Sequence, residues 1–324
     1  MKTIFCCILS GLLMQPLLSQ SLAGITDRTD SSYTLESAFQ SSRKTHPETS
    51  RVILAKDPLV EEEKNIVYAQ TGKRSLLLDV FYPKQNSNHI AILFIHGGGW
   101  RSGNRSQHHA LAQQLAALGY TCFTPEYRLS TEALFPAAVY DLKTAIRWVR
   151  QQAGRYRIDS TRIVAGGFSA GGELAAFLGV TGNMPLFEGT LSMPVTSSRV
   201  QAVIDIDGIL SFVHPESGEG DDSKRTSAAT YWFGYPRKGN EKLWEAASSL
   251  SYTGPHTPPT LFLNSSMDRM HAGRNDYIAA LQSFGIYTEV HTFNKAPHSF
   301  CLFEPWFTPT IAYIDGFLKQ VFPK

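Results

Sequence analysis

A serine flanked by glycines is the strongest chemical signal in the chain. The pentapeptide Gly167-Phe168-Ser169-Ala170-Gly171 lies between a strand-like apolar run, residues 162–165, and a helical segment, residues 170–180. Glycines on either side of a serine allow the sharp strand-to-helix turn that exposes its hydroxyl. The N-terminus of the following helix favours negative charge at this turn. We therefore predict that Ser169 is a nucleophile.

A run of glycines lies upstream of this serine. The segment His96-Gly97-Gly98-Gly99-Trp100 directly follows the apolar run at residues 90–95. Backbone N–H groups without neighbouring side chains can stabilise an oxyanion, and the loss of one such donor costs about 2.7–4 kcal/mol. The amide after the nucleophile contributes in the same way. The predicted oxyanion hole therefore consists of the N–H groups of Gly98, Gly99 and Ala170.

A serine nucleophile needs a base, and the base needs a carboxylate that orients it. Where a serine nucleophile lies on such a strand-to-helix turn, the acid follows the serine along the chain and the histidine comes last. His298 lies shortly after the final strand-like run, residues 287–293. We predict that His298 is the base.

Several aspartates compete for the role of the acid. Asp268 follows the apolar run at residues 259–264, at the end of the next-to-last strand, where open α/β sheets carry their site residues. It is the first choice. Asp276 is the second choice, although it falls within the following helix. Asp205 and Asp207, one strand earlier, are the third.

Three tryptophans are candidate substrate contacts. An indole ring can stack against a substrate, although an aromatic side chain taken alone is more often part of the core or of a cleft rim. The candidates are Trp100, Trp232 and Trp306. No cysteine or histidine cluster has metal-ligand spacing, so we expect neither a metal nor an organic cofactor.

Strand-like and helical segments alternate along most of the chain. The predicted strands are residues 65–69, 76–81, 90–95, 120–124, 162–165, 200–206, 259–264 and 287–293, and the main helices are 107–118, 136–152, 170–180, 275–283 and 309–321. This alternation predicts an α/β fold with a mainly parallel sheet and helices on both faces. The first two strands form an antiparallel edge. An irregular insertion at about 208–257 is long enough to indicate a functional role.

Length and composition exclude several classes of protein. The chain has 324 residues, of which 43% are hydrophobic and 18% are charged. This hydrophobic fraction is too high for a disordered chain and is sufficient for a large core. The formal net charge is only +2. We therefore expect no nucleic acid or anionic membrane surface as a partner.

The N-terminal segment is predicted to be removed from the mature protein. Lys2, the apolar run at 4–18 and the small residues that follow are typical of a signal peptide at residues 1–23. We therefore expect a secreted or periplasmic protein without a membrane span in its mature form. Residues 24–50 are predicted to be a polar, mobile lead-in with one weak helix at 33–43, and residues 51–324 the main domain. Cys122 lies in an apolar strand and is predicted to be a buried free thiol.

Taken together, these motifs resemble those of α/β-hydrolases of the esterase and lipase type. The resemblance begins near Val52 and rests on five segments: HGGGW at 96–100, EYRL at 126–129, FPAA at 135–138, GFSAGG at 167–172 and PHSF at 297–300. It implies the α/β-hydrolase fold and a two-step acyl transfer. The tail at 289–307 is similar, more narrowly, to secreted bacterial carbohydrate esterases, which remove acetyl groups from plant polysaccharides such as xylan and pectin. This resemblance implies that the three candidate tryptophans, Trp100, Trp232 and Trp306, stack against sugar rings.

Three functions are compatible with these features. The first is an exported carbohydrate acetylesterase, and the second is a general carboxylesterase or lipase acting on small acyl esters. The third is a catalytically inactive hydrolase fold that only binds, since a fold does not imply a function. The intact Ser169, His298 and glycine run argue against the third. The expected substrate is an acylated carbohydrate or another small ester.

Overall fold

The computed structural model describes residues 24–189 and 196–323. The predicted signal peptide, residues 1–23, lies outside the described residues. Among the residues described, no helix is both long and apolar enough to cross a membrane.

A mixed β-sheet forms the centre of the molecule. The strands are β1 (Ser50–Arg51), β2 (Val60–Thr71), β3 (Arg74–Pro83), β4 (Ala91–Ile95), β5 (Thr121–Pro125), β6 (Ile163–Phe168), β7 (Ala202–Ile206), β8 (Thr260–Asn264), β9 (Thr288–Thr292) and β10 (Phe303–Glu304). The order in the main sheet is β2-β3-β5-β4-β6-β7-β8-β9, while β1 and β10 form a separate short pair. The pairings of β3 with β2 and with β5 are antiparallel, and the other pairings in the main sheet are parallel. The predicted sheet with its antiparallel N-terminal edge is confirmed.

The central strands are buried on both faces. Every residue of β4, β6, β7 and β8 is buried, which explains why these strands read as continuous apolar runs without alternation. Along β4, Leu93 and Ile95 belong to one hydrophobic cluster, and Ile92 and Phe94 belong to the other. The sheet therefore separates two cores.

Helices cover both faces of the sheet, as predicted. They are α1 (Leu35–Thr45), α2 (His109–Ala117), α3 (Ala137–Gln151), α4 (Ala153–Tyr156), α5 (Ala170–Val180), α6 (Ala228–Phe233), α7 (Glu241–Ala246), α8 (Arg274–Ser283) and α9 (Phe307–Val321). Helices α3, α5 and α8 contribute to the first core, and α1, α2 and α9 contribute to the second. Along α3, Leu142, Ile146 and Val149 recur at helical spacing and are buried.

The N-terminal lead-in is packed against the domain, and the prediction of a mobile segment is wrong. Helix α1 begins with a capping box in which Thr34 and Ser37 bond reciprocally. Phe39 is buried, with its ring centroid 5.5 Å from that of Phe303. Upstream of the helix, Asp30 accepts a hydrogen bond of 3.0 Å from Arg101. The polar composition of residues 24–50 gives no indication of these few anchoring contacts.

The insertion after β7 begins with an irregular segment at 208–227, as predicted, and continues in short helices. It contains α6, α7 and a 3-10 turn at Ser249–Tyr252. Its core is aromatic: the Phe233 ring lies 5.1 Å from that of Phe212 and 4.6 Å from that of Trp244. A backbone hydrogen bond of 2.9 Å from Leu250 to Leu210 joins its two ends. The insertion is therefore a fixed part of the domain.

Both cysteines of the described chain are free and buried, which confirms the prediction for Cys122. Burial raises the pKa of the Cys122 and Cys301 thiols well above the ordinary range. Neither thiol is therefore ionised near neutral pH.

Candidate active site

Ser169 occupies a tight turn between β6 and α5. Its backbone is left-handed, with φ of 57° and ψ of −121°, which is a rare conformation for a residue with a side chain. The glycines on either side are sterically required. A Cβ on Gly167 would lie 2.1 Å from the carbonyl oxygen of Gly171, and one on Gly171 would lie 2.0 Å from that of Ile95. The predicted nucleophile turn is therefore present.

His298 lies beside the serine. Its Nε2 is 2.9 Å from Ser169 Oγ, which is within hydrogen-bond distance for proton transfer. The imidazole packs on Phe168, with ring centroids 4.7 Å apart. The next residue in the chain, Ser299, lies 2.6 Å from Ser42 of α1 between hydroxyl oxygens. The N-terminal helix thus helps to fix the segment that carries the histidine.

The carboxylate beside His298 is Asp207. Its Oδ2 lies 2.9 Å from His298 Nδ1, so Nδ1–H donates to the carboxylate and Nε2 is left to accept from the serine. The side chain of Asp207 is fully buried. Its Oδ1 accepts from the Ser265 amide at 2.8 Å and from Asn264 Nδ2 at 3.5 Å. Arg274 donates to Asn264 Oδ1 at 2.7 Å, which orients that amide.

The first choice for the acid, Asp268, does not contact His298. Its side chain is 92% exposed, and its carboxylate lies 3.8 Å from His271. The second choice is also elsewhere, since Asp276 lies on the surface near His214. The physical reason is strand order. Strand β7 is the immediate neighbour of β6, whereas β8 is one strand further from Ser169.

Asp205, which shared third place with Asp207, has a structural role. Its Oδ1 accepts from the Gly208 amide at 2.7 Å, and the residue is fully buried. Burial raises the pKa of Asp205 well above the ordinary value, and the nearby Asp207 raises it further. The pair Asp205 and Asp207 thus contains the aspartate that meets His298, although a position at the end of the next-to-last strand favours Asp268. The available signal was a pair of aspartates interrupting an apolar strand next to the strand that precedes the serine.

The glycine loop after β4 lies against the nucleophile turn. A Cβ on Gly97 would lie 2.7 Å from the carbonyl oxygen of Phe168 and 3.1 Å from Ser169 Cβ. Gly98 and Gly99 have φ of 125° and 59°, which glycine adopts without strain. Within the described chain, no hydrogen bond uses the N–H of either residue. Ala170 is the first residue of α5, so its N–H also lacks a partner inside the helix. All three predicted donors are therefore available, while their role stays a prediction.

His96, which begins this loop, is a buried structural residue. Burial lowers the pKa of His96 to about 4, so the imidazole is neutral near pH 7. Its Nδ1 lies 3.0 Å from the carbonyl oxygen of Gly97 and donates to it. The ring stacks on Tyr127 at 4.4 Å between centroids. These contacts hold the start of the glycine loop.

The predicted sugar contacts Trp100 and Trp232 are wrong. The two residues are only 4% and 1% exposed, and their rings stack on each other 4.9 Å apart. Neither ring face is free to meet a substrate. Trp306 is partly buried, with its ring centroid 5.9 Å from His46 at the end of α1. A substrate contact for Trp306 stays a prediction.

Comparison with known proteins assigns the family. The sequence model of the BD-FAE family matches residues 78–273, which is more than half of the chain. The chain belongs to the BD-FAE family. In this BD-FAE protein the matched residues include the glycine loop, the Ser169 turn and Asp207, and they end before His298.

Individual relatives are named as esterases. The chain is 36% identical over 135 residues to the esterase LipC of Mycobacterium tuberculosis, covering 41% of this chain and 33% of LipC. This BD-FAE chain covers from 33% to 56% of the length of LipC and three other esterase relatives, and 82% of an ethyl acetate hydrolase of Pseudomonas putida.

Solved structures share the α/β-hydrolase fold. A propionate-bound thermophilic esterase, Est2 of Thermogutta terrifontis, is 26% identical with a TM-score of 0.64, covering 82% of this chain and 95% of that one. A truncated carbohydrate esterase from gut microbiota has a TM-score of 0.67 at 24% identity, covering 82% and 98%. These likenesses confirm the predicted fold of this BD-FAE protein.

Proposed function

We propose that this protein is a carboxylic ester hydrolase that works through an acyl-enzyme on Ser169. The observation that carries the proposal is the hydrogen-bonded series from Ser169 to His298 to Asp207, with 2.9 Å at each step. A serine hydroxyl, an imidazole and a carboxylate in this order form an activated nucleophile. The names of the relatives support the same reaction class.

In the first step, Ser169 Oγ attacks the ester carbonyl carbon while His298 Nε2 takes its proton. The carbonyl oxygen becomes an oxyanion, which accepts hydrogen bonds from the amides of Gly98, Gly99 and Ala170. When the tetrahedral intermediate collapses, the bond to the alcohol oxygen breaks and His298 returns the proton to that oxygen. The alcohol leaves, and the acyl group stays on Ser169.

In the second step, water takes the place of the serine hydroxyl. His298 removes a proton from the water as its oxygen attacks the acyl carbon, and then protonates Ser169 Oγ as the carboxylic acid leaves. Asp207 keeps the Nδ1 proton on His298 and stabilises the imidazolium that forms in both steps. Since Asp207 is buried and already hydrogen-bonded, it does so without reorganisation.

Hydrolysis of p-nitrophenyl acetate tests the reaction class. We expect wild type to release p-nitrophenol and Ser169→Ala to lose activity by about 10⁴-fold or more, because the nucleophile is missing. An equally active Ser169→Ala would overturn the mechanism. A wild type that hydrolyses no ester would favour a hydrolase fold that only binds.

We propose further that the substrates are acetylated plant polysaccharides and that the protein is exported. The residues behind this are the signal-like segment at 1–23 and the tail at 289–307 that resembles carbohydrate esterases. A near-neutral chain suits a neutral acylated sugar, which offers hydrogen bonds rather than charge for recognition. The propionate bound to Est2 supports a site for short acyl groups.

The second candidate is a general carboxylesterase for small acyl esters. The observation that favours it is the burial of Trp100 and Trp232, which removes two of the aromatic platforms expected for a sugar. Such an enzyme would recognise the acyl group and tolerate many alcohols.

Acetate release from natural polymers separates the two candidates. We expect the purified protein to release acetate from acetylated xylan or pectin, and to prefer acetyl over longer acyl chains among p-nitrophenyl esters. Ser169→Ala is the control for background hydrolysis. A preference for long chains, or activity on small esters with no acetate from either polymer, would replace the polysaccharide proposal by the second candidate.

A further inference from the structure

A buried hydrogen bond joins the glycine loop to the helix that follows the nucleophile. Trp100 Nε1–H donates to Glu173 Oε2 at 2.9 Å. Trp100 is 4% exposed and Glu173 is 1% exposed. A hydrogen bond between two buried groups is not weakened by competition with water, and loss of either partner leaves the other unsatisfied.

The two ends of this hydrogen bond lie directly beside the proposed catalytic groups. Trp100 is the residue after Gly99, whose N–H belongs to the proposed oxyanion hole. Glu173 lies in the first turn of α5, one turn after Ser169. The bond therefore fixes the distance between the glycine loop and the nucleophile turn, from which the proposed donors and the attacking oxygen come.

The backbone at Trp100 needs such an anchor. Its φ is 56°, and that of Gly99 is 59°, so two successive residues are left-handed. For a bulky residue this conformation is a genuine outlier that persists only when the surroundings enforce it. The stacking of the Trp100 ring on Trp232, 4.9 Å away at 10°, fixes the plane of the ring. The Glu173 hydrogen bond fixes its rotation within that plane.

We infer that Glu173 is a positioning residue for the oxyanion hole, holding the N–H groups of Gly98 and Gly99 in register with Ser169 through Trp100. The inference rests on the proposed esterase function. It concerns a residue that touches neither the substrate nor the reacting atoms.

The charge of Glu173 decides which substitutions test this role. Burial raises the pKa of Glu173 well above the usual range, and the neighbouring Asp205 raises it further, although the bond from Trp100 lowers it. Burial therefore favours the neutral form of this carboxyl. Glutamine reproduces a neutral acceptor of the same shape, whereas leucine keeps the volume and removes the acceptor.

Steady-state hydrolysis of p-nitrophenyl acetate by Glu173→Leu and Glu173→Gln is the first measurement. We expect Glu173→Leu to lower kcat roughly tenfold to 100-fold with little change in KM, because misplaced donors weaken transition-state binding and not substrate binding. Glu173→Gln should recover most of this loss. Equal losses in both variants, or wild-type kcat in Glu173→Leu, would overturn the inference.

Trp100→Phe approaches the same hydrogen bond from its other end. It removes the indole N–H and keeps an aromatic ring against Trp232, so it also decides the question if Glu173→Leu does not fold. We expect kcat to fall by a similar factor, and the double variant with Glu173→Leu to be no worse than the poorer single variant. Additive losses would show that the two residues act separately, against the inference.

A trifluoromethyl ketone separates the oxyanion hole from a general loss of structure. Such a ketone adds to Ser169 Oγ and forms an oxyanion in the same hole. Its inhibition constant should rise in Glu173→Leu by about the factor by which kcat/KM falls. Leu174→Ala, a buried core change on the same helix, is the matched control: it should lower Tm and leave both quantities near wild type. An unchanged inhibition constant in Glu173→Leu would overturn the inference.

Failure of the inference and failure of the proposed function give different results. Wild type that hydrolyses no ester overturns the proposed function, and this inference with it. Active wild type with unaffected Glu173→Leu overturns the inference alone.

Discussion

Two adjacent strands of the sheet end in a loop that carries an aspartate, and only one of these aspartates meets the histidine. Asp207 follows β7, is fully buried and lies 2.9 Å from His298. Asp268 follows β8 and points into solvent, with its carboxylate 3.8 Å from His271. Position along the chain, at the end of the next-to-last strand, favours Asp268 as the acid.

The difference shows that a position at the end of a strand is not sufficient to identify the aspartate that contacts the histidine. Neighbouring strands are about 4.8 Å apart, so one step in strand order changes which loop can reach the segment of His298. Burial adds the second distinction. A carboxylate held by Ser265 and Asn264 keeps its orientation, whereas an exposed one is screened by water and free to rotate.

Of the variants that test this comparison of the two aspartates, Asp207→Asn should have the largest effect. Asparagine keeps the shape and can still accept from the Ser265 amide, but its amide no longer holds His298 in the productive tautomer. We expect kcat for p-nitrophenyl acetate to fall by about 10⁴-fold with an unchanged circular dichroism spectrum.

Asp268→Asn is the matched control for that experiment. The same chemical change on the exposed aspartate should leave kcat within about twofold of wild type, since surface charges contribute little. The opposite pattern, with Asp268→Asn inactive and Asp207→Asn active, would reverse the comparison and restore Asp268 as the acid.

A smaller effect on kcat is expected at Arg274, which orients the side-chain amide of Asn264 toward Asp207. Arg274→Met removes the 2.7 Å hydrogen bond that orients Asn264 toward Asp207. A hydrogen bond contributes about 1 kcal/mol net, so we expect kcat to fall about fivefold. Arg274 also donates to the exposed Asn275, and Asn275→Ala should leave kcat unchanged. Equal kcat values for the two variants would mean that Asn264 does not transmit the effect.

The smallest effect on activity is expected at Asp205, where stability responds instead. Its raised pKa means that between the ordinary aspartate pKa of about 4 and the folded value, the native state keeps a proton that the unfolded chain has released. The free energy of unfolding therefore falls as pH rises through that window, by up to about 1.4 kcal/mol per pH unit. Asparagine cannot ionise, so Asp205→Asn should lose this part of the pH dependence.

Urea unfolding at pH 5 and pH 7 measures this difference. We expect the stability of Asp205→Asn relative to wild type to be higher at pH 7 than at pH 5, with kcat close to wild type. A relative stability that does not change between the two pH values would show that Asp205 is already ionised in the folded protein.

Local chemistry made part of the site predictable. The turn at Ser169 was recognisable because two glycines, a preceding apolar strand and a following helix are all encoded within a short segment. The same holds for the glycine loop, whose residues have the left-handed backbone that glycine permits. The position of His298 after the last strand predicts that it is the base. Its contact with Ser169 at 2.9 Å agrees with this prediction.

The tryptophans show where local chemistry is insufficient. Trp100 and Trp232 have the residue type expected of a sugar platform, yet their stacking buries both. Nothing near either residue in the chain indicates that an insertion helix will cover the glycine loop. Whether an aromatic side chain is a surface or a core depends on packing between segments that are far apart in sequence.

Local sequence is sufficient to predict the alternation of strands and helices, the parallel sheet with its antiparallel edge, the nucleophile turn and the histidine. These depend on periodicity, glycine conformation and chain order, which are local properties. Packing between distant segments places Asp207 rather than Asp268 beside His298, the insertion on the glycine loop, and the lead-in near the histidine segment. Each of these depends on which strand ends and side chains become neighbours once both faces of the sheet are covered. Spacing along the chain does not encode the distance between such segments in the folded protein.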